Sequence, residues 1–366
     1  MKTFDEVFID KTKYGVKVQA SEYGEQGEHI IIDQGQSQIA GYTDREEGLF
    51  EEVPVVIFGD HTRVIKYVDE PFFLGADGVK VLRSKDENAN YKYLYYALKN
   101  ARIPNTGYNR HFRWLKEIKI NYPDSNKQAE IVHVLDRVSD IIFKRETEMR
   151  ALDDLIKARF VEMFGNPVLN DKGWEQRFLG EITTKIGSGA TPKGGKEAYQ
   201  EEGISLIRSM NVHNGQFEYK DLAHISEEQA AKLDNVTIEE NDVLLNITGA
   251  SVARSCVVPS EILPARVNQH VCIIRCKACI IPEFLNKLLI DDNYQDLLWN
   301  IAESGATREA ITKQQVEDLQ IIMPSIELQK EFMEFCKQVD KSKVAVQKAL
   351  DETQLLFDSL MQEYFR

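Results

Sequence analysis

PDSNKQAEIVHVLDRVSDIIFKRETEMRALDDLIKARFVEMFG (residues 123–165) and PSIELQKEFMEFCKQVDKSKVAVQKALDETQLLFDSLMQEYFR (residues 324–366) are two copies of one pattern. Extended upstream, residues 115–165 align with 316–366 without a gap. Ile120 falls on Ile321, Pro123 on Pro324, Gln128 on Gln329, Glu130 on Glu331, Val138 on Val339, Leu155 on Leu356 and Phe164 on Phe365. Solenoids repeat every ~20–50 residues, so a period of roughly 200 means duplication of a whole domain-plus-helix unit. In the first copy Ile131, Leu135, Val138, Ile142, Met149, Leu152, Ile156 and Met163 keep heptad spacing, broken at Arg145. In the second, Phe332, Cys336, Val339, Val346, Leu350, Phe357, Leu360 and Tyr364 do so, with Lys343 and Thr353 as breaks. Steps of three and four place these on one stripe, the coiled-coil signature. Each helix spans about 38 residues, ~57 Å at 1.5 Å per residue. A single apolar stripe of that length needs a partner, and the other copy, running antiparallel, is the natural one. Two amphipathic helices on separate domains are the alternative. Pro123 and Pro324 mark the helix starts, and Gly165-Asn166-Pro167 ends the first.

The chain reads outward from these helices as domain, long helix, domain, long helix. The boundaries are 1–122 and 166–323 for the domains, and 123–165 and 324–366 for the helices. The domains read as mixed α and β. Strands are expected at Val53–Phe58, Val79–Leu82, Ile204–Ile207, Val243–Ile247 and Val271–Ile274, and helices at Tyr91–Arg102 and Pro282–Ala302. The fold class is therefore α+β: two mixed α/β domains separated by two long helices that form an antiparallel coiled coil.

The net charge is −14 over 366 residues. It divides into roughly −4 for residues 1–165 and roughly −10 for the rest, so neither half has the basic footprint of a strong nucleic-acid binder. DNA binding would have to use local basic patches. No apolar run approaches the ~18 residues of a membrane span. The N-terminus, Met1-Lys2-Thr3-Phe4-Asp5, has no signal-peptide apolar region, so a cytoplasmic location is expected. Five cysteines make no disulfide framework. Cys272, Cys276 and Cys279 have the spacing of radical-SAM iron–sulfur ligands. They sit in and beside a β-branched strand, which suits small packing residues and no metal.

Short motifs recur in order. The second half carries Trp174, Leu179-Gly180-Glu181 and Gly187-Ser188-Gly189-Ala190-Thr191-Pro192. Gly203-Ile204, Ile207-Arg208, Glu240-Asn241-Asp242-Val243-Leu244, Val267-Asn268-Gln269-His270 and Pro324 with Glu327-Leu328-Gln329 follow. The first half has Gly59-Asp60-His61-Thr62-Arg63, Gly75-Ala76-Asp77-Gly78, and Pro123 with Gln128. In this order and tandem layout the chain resembles the specificity (S) subunits of type I restriction–modification systems over essentially its whole length. The resemblance implies two target recognition domains, each reading one half of a split double-stranded DNA site, with the helices as the rod that sets the gap. It also implies docking of two methyltransferase subunits, which bind S-adenosylmethionine and methylate adenine N6. Two translocase–nuclease (restriction) subunits are optional further partners. This chain would hold no cofactor and touch no membrane. The Trp174 to Gly180 segment has no counterpart before Phe4, and the two domains differ strongly in sequence, which fits two different half-sites.

Base reading needs Arg or Lys for guanine and Asn or Gln for adenine, while phosphates take Lys, Arg, hydroxyls and backbone amides. In the first domain the candidates are Gln36 and Gln38, on a polar loop with Gln34 and Ser37. His61, Thr62 and Arg63 follow the apolar run, and Arg110, His111 and Arg113 form the densest basic cluster. In the second, Lys185, Ser188, Thr191, Lys193 and Lys196 lie in a glycine-rich stretch. That stretch misses a P-loop because Gly195 follows Gly194 where Lys is needed. Arg208, Asn211, Asn246, Arg254, Asn268, Gln269 and Arg308 complete the set. Each has an alternative role in a turn, an ion pair or a buried hydrogen bond. No catalytic residue is expected: Asn166-Pro167 is followed by Val168 and Leu169 instead of the Pro-Tyr or Pro-Phe of an adenine methyltransferase, and no nucleophile elbow is present. Competing readings are a helical assembly scaffold without DNA readout and a radical-SAM-type enzyme.

Overall fold

The computed structural model describes residues 1–75, 77–107, 109–191, 195–304 and 309–366. The chain divides into two compact units, one of residues 1–148 with 346–366 and one of residues 149–345.

In the first unit β1 (Lys2–Thr3), α1 (Phe4–Val7), β2 (Phe8–Asp10), β3 (His29–Ile32) and β4 (Gly41–Thr43) come first. Then follow β5 (Val55–Gly59), β6 (Ile65–Val68), β7 (Phe72–Leu74) and β8 (Val79–Ser84). Helix α2 (Tyr91–Lys99), helix α3 (Phe112–Leu115) and β9 (Lys119–Ile120) lead into the long α4 (Ser125–Phe164). One sheet has the order β2-β8-β5-β6 and a second the order β4-β3-β7, in which β3 and β7 are parallel. Side chains alternate across β5. Val56 and Phe58 face Tyr93, Leu94 and Ala97 of α2, while Val55 and Ile57 face Ile32, Phe72 and Leu74 of the second sheet. A sheet covered on both faces reads as a continuous apolar run, which is why Val55–Phe58 is wholly buried. The Asn90 side chain caps α2 by accepting from the Tyr93 amide, and α2 stops at Lys99, short of the expected Arg102.

The second unit contains β10 (Gln176–Phe178), β11 (Thr183–Ser188), β12 (Ile204–Ile207), β13 (Val212–His213), β14 (Gln216–Phe217) and β15 (Ala223–Ile225). After α5 (Glu227–Ala231) come β16 (Val243–Asn246), β17 (Ser255–Val257), β18 (Ala265–Val267) and β19 (Val271–Cys276). Then follow α6 (Pro282–Leu289), α7 (Asp292–Glu303), α8 (Lys313–Glu317), β20 (Gln320–Ile322) and the long α9 (Ile326–Tyr364). The expected helix over Pro282–Ala302 is thus two helices. The Asp291 side chain accepts from the Asn293 amide and starts a new one.

The two units share one topology. The second has a β11-β19-β16-β17 sheet and a β15-β12-β18 sheet with β12 and β18 parallel, strand for strand the pattern of the first. Val243, Leu245, Cys272 and Ile274 face the core under α6 and α7, while Leu244 and Ile273 face the other sheet. The short antiparallel pair β1·β9 matches β10·β20, so Lys2–Thr3 holds the place of Arg177–Phe178 in β10.

The long helices pair antiparallel within each unit. In the first, Ile131, Leu135 and Val138 of α4 share a core with Phe357 and Met361 of α9. In the second, Ile156, Phe160 and Phe164 of α4 share one with Phe332, Cys336 and Val339 of α9. The seam residues Ile142, Met149, Val346 and Leu350 are half-buried, as a two-stranded coil leaves them. The repeated Pro-Gln pair has a structural reason. Gln128 Nε2 donates to the Pro123 carbonyl at 2.9 Å and Gln329 Nε2 to the Pro324 carbonyl at 3.0 Å, the same staple at each helix start.

Candidate nucleic-acid interface

Three hydrogen bonds superpose the loop ends of the two domains. The Gly59 amide donates to the Val64 carbonyl and the Asn246 amide to the Arg254 carbonyl, each at 2.8 Å. The Gly75 amide donates to Ile32 (2.7 Å) and the Asn268 amide to Ile207 (3.0 Å). The His111 amide donates to Asp60 and the Ile311 amide to Ile247, each at 2.8 Å. Gly59 thus corresponds to Asn246, Gly75 to Asn268, Gln34 to Ser209 and His111 to Ile311. Most candidate reading residues fall in or beside these loops.

In the first domain the loop after β3, the β5–β6 turn and the β7–β8 turn meet at Gln34. Gln34 Oε1 accepts from the His61 amide (3.1 Å), Gln34 Nε2 donates to the Asp77 carbonyl (2.9 Å), and the Gln34 carbonyl accepts from Thr62 Oγ1 (2.6 Å). Close approach requires glycine at two neighbours. A Cβ on Gly59 would lie 3.0 Å from Gln34 Cβ; one on Gly78, at φ +96°, would lie 2.7 Å from the Gln34 amide. Gln36, Gln38 and Thr62 are exposed; Arg63, at φ +62°, is half-buried. These four line one open cavity of about 550 Å³ together with Lys66 and Lys99. No Asp or Glu is among its described lining residues, in a chain of net charge −14. Lys66 is buried, donates to the Ser37 carbonyl at 2.5 Å and lies 3.4 Å from Asp33, so it fastens the Gln36–Gln38 loop. Burial pulls its ammonium below the usual lysine range, against the pull of Asp33. Lys66 and Lys99 were not among the sequence candidates. A lone Lys in a strand or a helix's last turn carries no signal until the fold brings it to a cavity. Arg110 and Arg113 are exposed, and the Arg113 guanidinium lies 4.8 Å from the Trp114 ring.

His111 is a correction. It is fully buried, its Nδ1 lies 3.0 Å from the Asp60 carbonyl, and the Phe112 amide donates to Asp60 Oδ1 at 2.7 Å. Asp60 and His111 therefore clamp the β5–β6 turn to the start of α3 from inside, and His111 cannot meet DNA.

In the second domain Ser188, Thr191 and Gln269 are exposed and Arg208, Arg254 and Lys185 half-buried. Thr191 Oγ1 donates to Gln269 Oε1, Gln269 Nε2 lies 3.0 Å from His270 Nε2, and Thr248 Oγ1 lies 2.5 Å from His270 Nδ1. This chain of side chains joins three loops at the surface, as Gln34 does in the first domain. Arg208 turns its guanidinium to the Asp221 carbonyl and lies 5.3 Å from the Tyr199 ring. Lys185 lies within β11 opposite Arg275. Asn211, Asn246 and Asn268 are corrections of the same kind as His111, being buried and committed to backbone. Asn211 Nδ2 donates to Glu218 (2.9 Å), Asn246 Nδ2 to Ser209 (2.8 Å), and Asn268 Oδ1 accepts from the His270 amide (3.0 Å). Lys193 and Arg308 lie outside the described residues, as does the Lys196 side chain.

Cys272 packs in the helix-facing core, Cys276 lies at its edge, and Cys279 is exposed beyond the strand. Burial pushes the Cys272 and Cys276 thiols up to about 12, so both stay protonated and poor as metal ligands near neutral pH. Among the described residues no group of three His, Cys, Asp or Glu is placed to hold a metal, and no helix is long and apolar enough to cross a membrane.

A family profile described as the type I restriction modification DNA specificity domain matches residues 9–150 and again 171–353. The chain belongs to this family. It is a type I specificity subunit with two DNA-recognition domains, and the family supplies specificity rather than catalysis. The specificity subunit of the Escherichia coli type I restriction enzyme EcoR124I/EcoR124II is 24% identical over 346 residues, covering 90% of this chain and 83% of its own. The crystal structure of the type I S subunit from M. genitalium has the same fold, with TM-score 0.59, 17% identity, and coverage of 100% of this chain and 95% of that one. A chain from a structural study of type I complex assembly and conformational transition gives TM-score 0.59 at 18% identity, covering 100% and 96%.

Proposed function

We propose that this specificity subunit reads a bipartite double-stranded DNA site, one half with each domain, and that the two long helices act as the spacer between halves. The observation that carries this is the recurrence of one loop constellation on two copies of one sheet topology, filled with different polar side chains: Gln36, Gln38, Thr62 and Arg63 in the first domain, Ser188, Thr191, Arg208 and Gln269 in the second. Equivalent scaffolds with different reading groups suit a site of two unlike halves, and a stiff connection fixes half-site separation as dimer spacing does in other DNA readers. The acid-free cavity beside Arg63 supplies the local positive field that the overall charge lacks.

In this reading the subunit works in the cytoplasm and docks two methyltransferase subunits. These bind S-adenosylmethionine and methylate adenine N6 within the site; two restriction subunits join where present. This chain positions the catalytic subunits and itself binds no cofactor. The test is duplex binding by the chain assembled with its methyltransferase subunit, titrated with salt. DNA contact through phosphates gives a steep linear fall of log K with log salt concentration. A pure scaffold gives no salt-dependent binding, and that result would refute the reading.

A further inference from the structure

Gln34 and Asn246 sit at the same junction in the two domains and neither is placed to reach a base. Gln34 is half-buried beneath the loops it joins, and Asn246 is fully buried. We propose that they are positioning residues, each holding the reading loops of its own domain and thereby setting the specificity of one half of the site. The proposal rests on the bipartite reading above.

The two domains solve one problem from opposite strands. In the first, the side chain comes from Gln34, two residues past the end of β3, and reaches across to the β5–β6 and β7–β8 turns, while the facing position is Gly59. In the second, the position matching Gly59 is Asn246, and it reaches back to the carbonyl of Ser209, the residue that matches Gln34. Asn246 Nδ2 also lies 3.3 Å from Ser251 Oγ, inside its own turn. Each amide therefore ties the loop after the central parallel strand to the turn that begins the next hairpin. The candidates hang directly on those segments: exposed Gln36, Gln38 and Thr62 with half-buried Arg63 in one case, half-buried Arg208 and Arg254 in the other. Donor and acceptor positions decide base discrimination, so a loosened loop blurs readout even when its reading side chains are intact.

The experiment uses the chain assembled with its methyltransferase subunit, methylating duplexes that carry the full site or single-base changes in either half. Gln34→Glu keeps the shape and the acceptor for the His61 amide but sets an acceptor against the Asp77 carbonyl. Asn246→Ser shortens the side chain and withdraws it from the Ser209 carbonyl. Gln34→Ala and Asn246→Ala remove each amide outright. Gln34 variants should lose about tenfold or more discrimination in one half only, and Asn246 variants in the other half only. Each is the control for the other, and melting temperatures are recorded alongside. The proposal is overturned if discrimination is unchanged in both halves, falls in the same half for both residues, or falls equally in both halves. Failure of all four variants to assemble also overturns it, because a positioning role leaves the core standing. A wild-type complex that shows no two separate specified halves would instead bring down the bipartite reading itself.

Discussion

At the scale of single residues, position in the fold divides polar side chains that look alike in the sequence. His111 and Ile311 hold one structural position, and Gly59 and Asn246 another, so in both pairs the polar member is internal. Arg63, by contrast, lines the acid-free cavity, and its Nη1 makes one 3.3 Å bond to the Ile103 carbonyl. Arg63→Ala should lower methylation of the cognate site about tenfold or more and move the melting temperature little; unchanged site preference would place the reading surface elsewhere. Gln329 bonds the Ile281 amide and the Cys279 and Pro324 carbonyls, whereas Gln128 bonds the Pro123 carbonyl and the Tyr122 side chain. Gln329→Ala should cost about 2–3 kcal/mol in urea unfolding and Gln128→Ala about 1 kcal/mol, the ordering being the test. Burial pushes Cys256, Cys272 and Cys276 up to about 12 and Cys336 up to about 11, while Cys279 is exposed. A thiol titrating that high stays protonated and unreactive at pH 8. Native protein should therefore give one fast equivalent with a disulfide reagent and five after denaturation. Three fast equivalents would mean that Cys272 and Cys276 are open.

At the scale of elements, the heptad stripe and the Pro-Gln pair made the two helices legible in the sequence, because both are local and repeat. The strands were legible where both faces are covered, as at Val55–Phe58, because burial on two sides leaves an unbroken apolar run. The break between α6 and α7 was not, since Leu288, Leu289, Tyr294 and Leu298 keep the apolar pattern across it and only Asp291 marks it. The reading loops were half legible. Exposed Gln36, Gln38, Thr191 and Gln269 match the expectation of polar loop residues. His111, Asn211, Asn246 and Asn268 carry the same chemistry for a backbone purpose, and one sequence cannot separate the two uses. The shared sheet topology was invisible, because the two domains preserve hydrogen-bond register while changing almost every side chain. Leu135 of α4 is wholly buried in the core that it shares with Phe357 and Met361 of α9, and Leu350 of α9 is half-buried. Leu135→Glu should destabilise by about 3–5 kcal/mol and Leu350→Glu by less, read from thermal melts of helicity. Equal, negligible effects would contradict the helix pairing.

At the scale of the whole molecule, duplication explains why one chain carries two readers. A single chain supplies two unlike domains on equivalent frames, each followed in sequence by a long helix. Net acidity of the whole chain is compatible with DNA recognition where basic side chains gather locally, as Arg63, Lys66 and Lys99 do around a cavity with no Asp or Glu among its described lining residues.

The most direct measurement is a genome-wide adenine-methylation map of the host with and without this gene. The expected result is a methylated motif of two short specified parts around a fixed gap that disappears with the gene and returns on complementation. A host whose split motifs are the same in both strains, while the chain is expressed and assembled with its methyltransferase subunit, would contradict bipartite reading by this protein.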